Sequence, residues 1–272
     1  VRTAAYQPEN KLGPSGLGRF ALPRSVLALM LREMATTYGR SPGGYLWALI
    51  DPIGGIAILT FVFTFFLHRP PLGENFPLFY ATGYLPFLIY NAIAQNLSQA
   101  ILYSKPLLAY PRVSFVDALL ARFVLAFLTQ VLAMYLVILG IVIVFDLRLW
   151  PQPWAILNAL GMAAALGAGV GVLNCYLTTA FPAWARVWAI ATRPLFLISG
   201  AFFLYEGLPL TAREVLWFNP LIHVTAEMRA GFYTIYPAAF VTPAYVYLLS
   251  LVLLAAGLML LRRQSRNMAA EG

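Results

Sequence analysis

The chain has 272 residues, 18 Lys+Arg against 10 Asp+Glu and a formal charge of +8; 61% of it is hydrophobic and only 10% charged. Soluble domains run roughly 45–50% apolar and about 25% charged, so this composition excludes an ordinary cytosolic enzyme and a disordered tail. It also excludes a nucleic-acid-binding domain, because the basic surplus is thin and embedded in apolar sequence. The single Cys175 rules out an internal disulfide, and His68 and His223 show no metal-ligand spacing.

A bilayer core needs roughly 20 apolar residues as helix, and in chain order six stretches qualify. Residues 1–44 precede them, with a basic amphipathic helix expected over 25–40. Leu27, Met30, Leu31, Met34 and Tyr38 recur at helical spacing, with Arg24, Arg32, Glu33 and Arg40 opposite. This helix serves either as an interfacial anchor or as a collar where Arg32 and Arg40 meet the anionic head of a substrate. The first span covers 45–67, with Trp47 near its start and Asp51-Pro52 read as a helix beginning. The second covers 78–94, with Pro86 expected to kink it.

Residues 98–113 connect the second and third spans. They carry Leu102, Tyr103, Leu107, Leu108 and Tyr110 beside Lys105 and Arg112. An apolar knob facing the cytosol reads as a short helix docking into the groove of a partner, or as a segment dipping into lipid headgroups. The third span covers 118–145. The fourth, 154–181, holds Gly161, Gly167, Gly169 and Gly171 and is therefore expected to be a close-packing helix. The fifth covers 187–205.

The loop at 206–242 is unusually apolar. Thr211 and Glu214 have capping-box spacing ahead of Val215–Phe218; Asn219-Pro220 breaks the run, and a second helical stretch begins at Leu221. Each piece is about 15 Å of helix, too short to cross, so the pair reads as a re-entrant hairpin entering the outer leaflet. His223 and Glu227 lie one turn apart. A plain side-chain hydrogen bond between them is favoured over a proton or metal pair. The sixth span covers 244–261 and stops at Arg262-Arg263, before a tail at 262–272.

Basic residues choose the orientation. Most lie in the N-terminal segment, the second-to-third and fourth-to-fifth connections and the tail; the opposite side keeps only Arg69, Arg148, Arg213 and Arg229. The positive-inside rule then puts both termini in the cytoplasm.

Chemistry of its own is missing. The only lysines, Lys11 and Lys105, do not follow Gly, so no phosphate-cradling loop exists; nucleophile-elbow and zinc-protease motifs are absent too. The expected spans carry no ionisable group at mid-membrane, where ion-driven carriers normally need them. Work is therefore expected to be powered by a partner. Aromatic rings beside amides suit the passage of a sugar chain. Trp47, Tyr80, Tyr84, Tyr90, Asn91 and Phe202 are the candidate lining, against the alternative of packing and interfacial belts.

The stretch Tyr38-Gly-Arg-Ser-Pro-Gly-Gly-Tyr-Leu-Trp47 followed by Asp51-Pro52 resembles the start of the first span in type-2 ABC exporter permeases. Closer still is the similarity to permeases that export capsular polysaccharide, seen in Gly44–Ala48 and in Leu216-Trp-Phe-Asn-Pro-Leu-Ile-His-Val-Thr-Ala-Glu227; Tyr110-Pro-Arg-Val113 falls where that family places its coupling segment. The resemblance implies an all-α integral membrane fold of the type-2 ABC exporter permease kind. It implies a homodimer above two copies of an ATP-binding subunit that holds ATP and magnesium, with no cofactor and no catalytic site in this chain. Residues 98–113 would be the coupling helix. The hairpin at 206–240, with Trp217, Asn219, Pro220, His223 and Glu227, would be the outer gate. The cargo would be a lipid-linked acidic polysaccharide crossing the bacterial inner membrane to periplasmic and outer-membrane export proteins. Alternatives are export of O-antigen, teichoic acid or a small lipophilic molecule. A membrane-embedded glycosyltransferase or acyltransferase is disfavoured because Glu206, Glu214, His223 and Glu227 are scattered.

Overall fold

The computed structural model describes residues 21–37, 44–103 and 115–270. Among the described residues there is no strand; the chain is a bundle of helices. In order these are α1 (Ala21–Thr37), α2 (Gly44–Phe66), α3 (Phe76–Ser98), α4 (Phe115–Val144), α5 (Pro153–Ala180), α6 (Trp184–Leu197), α7 (Leu210–Leu216), α8 (Pro220–Phe232) and α9 (Pro243–Ala270). Within the described residues α2, α4, α5 and α9 are long and apolar enough to cross a membrane. The limits of α2, α4 and α5 lie close to the expected first, third and fourth spans, and α9 begins where the sixth is expected.

The centre of the bundle is α3 against α5. Asn75 starts α3 by accepting the Leu78 N–H at 2.9 Å, with a proline in the first turn. Its 23 residues make about 35 Å of helix. Phe79, Tyr80, Leu85, Ile89 and Ile93 are all buried. Burial inside the bundle explains how α3 carries Asn91, Gln95 and Asn96 without the apolarity of a lipid-facing span. α5 supplies the expected small-residue packing on two sides. A Cβ on Gly171 would lie 2.7 Å from Leu97 Cβ and 3.0 Å from the Ala94 backbone of α3, and one on Gly169 would lie 2.5 Å from the Ser250 carbonyl of α9. Only glycine permits backbones this close.

Several expected details differ. Pro52 is not a helix beginning: it lies inside α2, which already starts at Gly44. The capping box does not form; α7 begins at Leu210, so Thr211 is inside the helix, and no side chain caps it. Asn219-Pro220, read as a break, is also a start, because Asn219 accepts the Leu221 N–H at 3.1 Å and caps α8. Helix α9 outlasts the sixth expected span, running past Arg262-Arg263 to Ala270.

The largest difference is in the fifth expected span. Helix α6 has 14 residues and ends at Leu197, about 21 Å of helix, too short to cross alone. Pro194 lies in its last turn, and the chain swings away at Gly200, whose φ is +82°, a backbone conformation natural only to glycine. Residues 198–204 are not helical.

Candidate functional site

Breaking a helix frees carbonyls, and a buried carbonyl needs a donor. Here α8 supplies them. Asn219 Nδ2 donates to the Ile198 carbonyl at 2.8 Å, and Thr225 Oγ1 donates to that of Ser199 at 2.9 Å. Arg229 then donates from Nη2 to Ala201 at 3.0 Å and from Nη1 to Phe203 at 2.8 Å. Thr225 and Arg229 are four residues apart, so one face of α8 straps the broken segment. Arg229 is 2% exposed. Its guanidinium lies over the Phe79 ring of α3 at 4.2 Å. Burial lowers its pKa to about 10, still far above neutrality, so it remains a cation. Glu206, an acid that acts on it electrostatically, is engaged by the Tyr236 hydroxyl at 3.0 Å. Sequence reasoning placed Arg229 among outer-loop residues and missed this role. The available signal was a Thr–Arg pair at helical spacing following a Ser-Gly interruption.

The expected His223–Glu227 bond is not made. The Thr242 N–H donates to His223 Nδ1 at 3.2 Å, which leaves Nε2 protonated to donate to the Trp217 carbonyl at 2.8 Å. Glu227 instead accepts from Asn158 of α5 at 2.8 Å. Neighbouring elements, not helical spacing, choose the partners. Both ring nitrogens of His223 are used by the neutral imidazole, and burial holds its pKa below the ordinary 6.5. Among the described residues no group of three metal-ligating side chains forms. Trp217 stacks on Tyr245 at 5.2 Å and meets His223 edge-on at 5.4 Å. Asn219 and Pro220 form the α7–α8 corner.

The other expected lining residues do not come together in one place. Tyr80 and Tyr90 are buried in the core and face no open space. Tyr84 and Phe202 are half-buried in an aromatic seam where α2, α3 and the broken fifth segment meet. Phe63 of α2 lies 5.9 Å from Phe202, which meets Phe196 edge-on at 4.8 Å; Tyr84 lies 5.3 Å from Phe196. Asn91 accepts from Gln95 at 3.1 Å on the last turns of α3. Trp47 is exposed on α2.

At the opposite end of the bundle from the strap, Arg122 of α4 joins three elements. It donates to Glu33 of α1 at 2.5 Å and to the Asn96 carbonyl of α3 at 3.2 Å, and lies over the Tyr103 ring at 4.7 Å. Leu102 and Tyr103 are exposed there, as are Arg32, Leu27 and Leu31 on α1. Arg40, Lys105, Leu107, Leu108, Tyr110 and Arg112 lie outside the described residues.

A family model described as ABC-2 type transporter matches residues 24–233, most of the chain, including the strap, the aromatic seam and the Arg122 junction. The chain belongs to the ABC-2 type transporter family. Among curated relatives, the polysialic acid transport protein KpsM of Escherichia coli is 31% identical over 90% of this chain and 95% of its own length. The capsule polysaccharide export inner-membrane protein CtrC of Neisseria meningitidis serogroup A is 26% identical over 91% of this chain and 94% of its own. BexB of Haemophilus influenzae, a protein of the same description, is 25% identical over 91% and 94%. The relatives therefore align with nearly the whole ABC-2 chain and not with one isolated segment.

Proposed function

We propose that this ABC-2 protein is the permease subunit of an exporter that moves lipid-linked capsular polysaccharide across the bacterial inner membrane. The carrying observation is the match, over nine-tenths of the chain, to relatives named for polysialic acid transport and for capsule polysaccharide export. In this reading ATP and magnesium reside in a separate ATP-binding subunit, present in two copies, and this chain contributes the pathway.

Six crossings follow if α3 crosses inside the bundle and α6 with residues 198–204 makes a broken fifth pass. Both termini are then cytoplasmic, with α1 in the interface, the transmembrane domain over 45–261 and the tail at 262–272. A second copy completes the pathway; the support is that α6 has no buried residue and α2 exposes Phe61, Phe65 and Phe66. Residues 98–113 dock on the ATP-binding subunit. Closure of that subunit reaches α1, α3 and α4 together through the Arg122–Glu33–Tyr103 junction. The Phe63–Phe202 seam between the first and fifth passes then opens, and the α7–α8 hairpin, strapped to the fifth pass by Arg229, moves with it as the outer gate. Periplasmic and outer-membrane export proteins receive the polymer.

The test is deletion and restoration of this chain in a capsule-producing host. Loss of surface polysaccharide with intracellular build-up of the lipid-linked form is expected, reversed by the intact chain together with its ATP-binding subunit. Undiminished surface polysaccharide in the deletion strain contradicts the reading.

A further inference from the structure

Three cavities stand out among the described residues, and one differs from the others in chemistry. The cavity between α2 and α4, about 670 Å³, is lined almost wholly by apolar side chains such as Ile53, Phe61, Leu136 and Val144. The one between the end of α4 and the start of α5, about 630 Å³, is lined by Met134, Trp150 and Phe232. Both match lipid tails. The third, about 430 Å³, lies between the C-terminal end of α3, the C-terminal turn of α5 and the N-terminal half of α6, and is lined by Gln95, Gln99, Tyr103, Thr178, Trp188 and Thr192 among others.

Its shape follows from how α6 packs. Phe196, at the C-terminal end of α6, is seated against Tyr84 at 5.3 Å and Phe87 at 4.9 Å. Toward its N-terminus α6 stands away from α3, and the cleft is the space left between them. Gln95 in the last turn of α3 and Gln99 just past its end are exposed, while Trp188 is half-buried on α6. Gln95 donates to Asn91 and Thr192 to the Trp188 carbonyl. The Gln99 amide, the Thr178 hydroxyl and the Trp188 indole N–H make no hydrogen bond to any described residue. A site of this volume suits one small polar ligand unit. Flat rings beside free amide and hydroxyl groups match a pyranose, which presents an apolar C–H face and a rim of hydroxyls. This is the combination that sequence reasoning assigned to Tyr80 and Tyr90, which the core instead absorbs.

We propose that the cleft between the end of α3 and the first half of α6 binds a sugar residue of the exported polymer, with Trp188 as the stacking ring and Gln99 and Thr178 as hydroxyl partners. The proposal rests on the polysaccharide reading above. On the orientation given there, the cleft opens at the cytoplasmic end of the fifth pass, where the polymer arrives. Tyr103 lines it and also touches Arg122, so an occupied cleft adjoins the start of the coupling segment.

The experiment places a photoreactive benzoylphenylalanine at Ala189, an exposed lining position, in the full chain within its capsule-producing host. A control carries the same group at Ile143, exposed on α4 outside the cleft. Irradiation is expected to give a carbohydrate-positive, high-mass adduct from Ala189 and none from Ile143. Trp188→Ala with Gln99→Leu, at unchanged membrane protein level, is expected to lower surface polysaccharide at least about tenfold, as losing a stacking ring and a hydroxyl partner weakens sugar binding. Adducts with phospholipid alone, or full surface polysaccharide in the double variant, overturn the cleft while export by the intact chain keeps the broader reading standing. Undiminished capsule in the deletion strain overturns both.

Discussion

Replacing Arg229 by Met removes the donors to two carbonyls of the broken segment while keeping most of the side-chain volume. Ala201 is fully buried and Phe203 half-buried, so its carbonyl is the more costly one to leave without a donor. An orphaned buried acceptor costs about 1–3 kcal/mol, and the lost cation–π contact with Phe79 adds about 1–2 kcal/mol at a desolvated site. Relief from burying a charge offsets part of this. The net expected loss is about 1–4 kcal/mol. Arg229→Lys, which offers one compact ammonium in place of a two-pronged fork, should recover roughly half. The assay is equilibrium unfolding of the purified protein in mixed detergent micelles, read by tryptophan fluorescence. Export in the host should fall in parallel, because the hairpin loses its tie to the fifth segment. If Arg229→Met unfolds within about 0.5 kcal/mol of the parent, the carbonyls find other donors and the strap is not what holds the hairpin.

Other consequences are equally specific. Gly169→Ala drives a Cβ to 2.5 Å from the Ser250 carbonyl and should cost about 1–3 kcal/mol in the same unfolding assay, as α5 and α9 are forced apart. Tyr80→Phe should change stability by less than about 1 kcal/mol, because the buried hydroxyl has no partner, and should leave capsule export intact; a large export defect would return Tyr80 to the pathway. His223 is buried neutral with a folded-state pKa below the ordinary 6.5, so protonation favours the unfolded state. Its contribution is fully present above about pH 6.5 and is lost as pH falls from there toward the lowered folded-state value. His223→Gln should flatten the acid limb of a melting-temperature profile taken from pH 7.5 to 5.

The long spans were legible because an uninterrupted apolar run has one solution in a bilayer, and α2, α4, α5 and α9 follow it. Small residues on α5 correctly marked close packing, since nothing but missing side chains lets Gly171 approach Ala94. The break in the fifth expected span was hidden by the same logic: Phe202, Phe203 and Leu204 continue the apolar run past a Ser-Gly turn, and hydropathy does not register a change of backbone direction. Composition also cannot tell a phenol facing a path from one facing a neighbouring helix, so Tyr80 and Tyr84 read alike while one is core and the other lies in the seam. The partners of His223, Glu227 and Arg229 all come from other elements. Spacing along α8 shows which side chains share a face, not which carbonyl or amide waits opposite.

The central claim is that this chain forms a pathway and borrows its energy. Proteoliposomes containing the chain alone, or the chain with its ATP-binding subunit, loaded outside with lipid-linked capsular polysaccharide, test it directly. Accumulation of polymer in the lumen is expected only with both subunits and ATP, and not with a non-hydrolysable analogue. Uphill accumulation by the chain alone, or none with both subunits and ATP, would contradict the account.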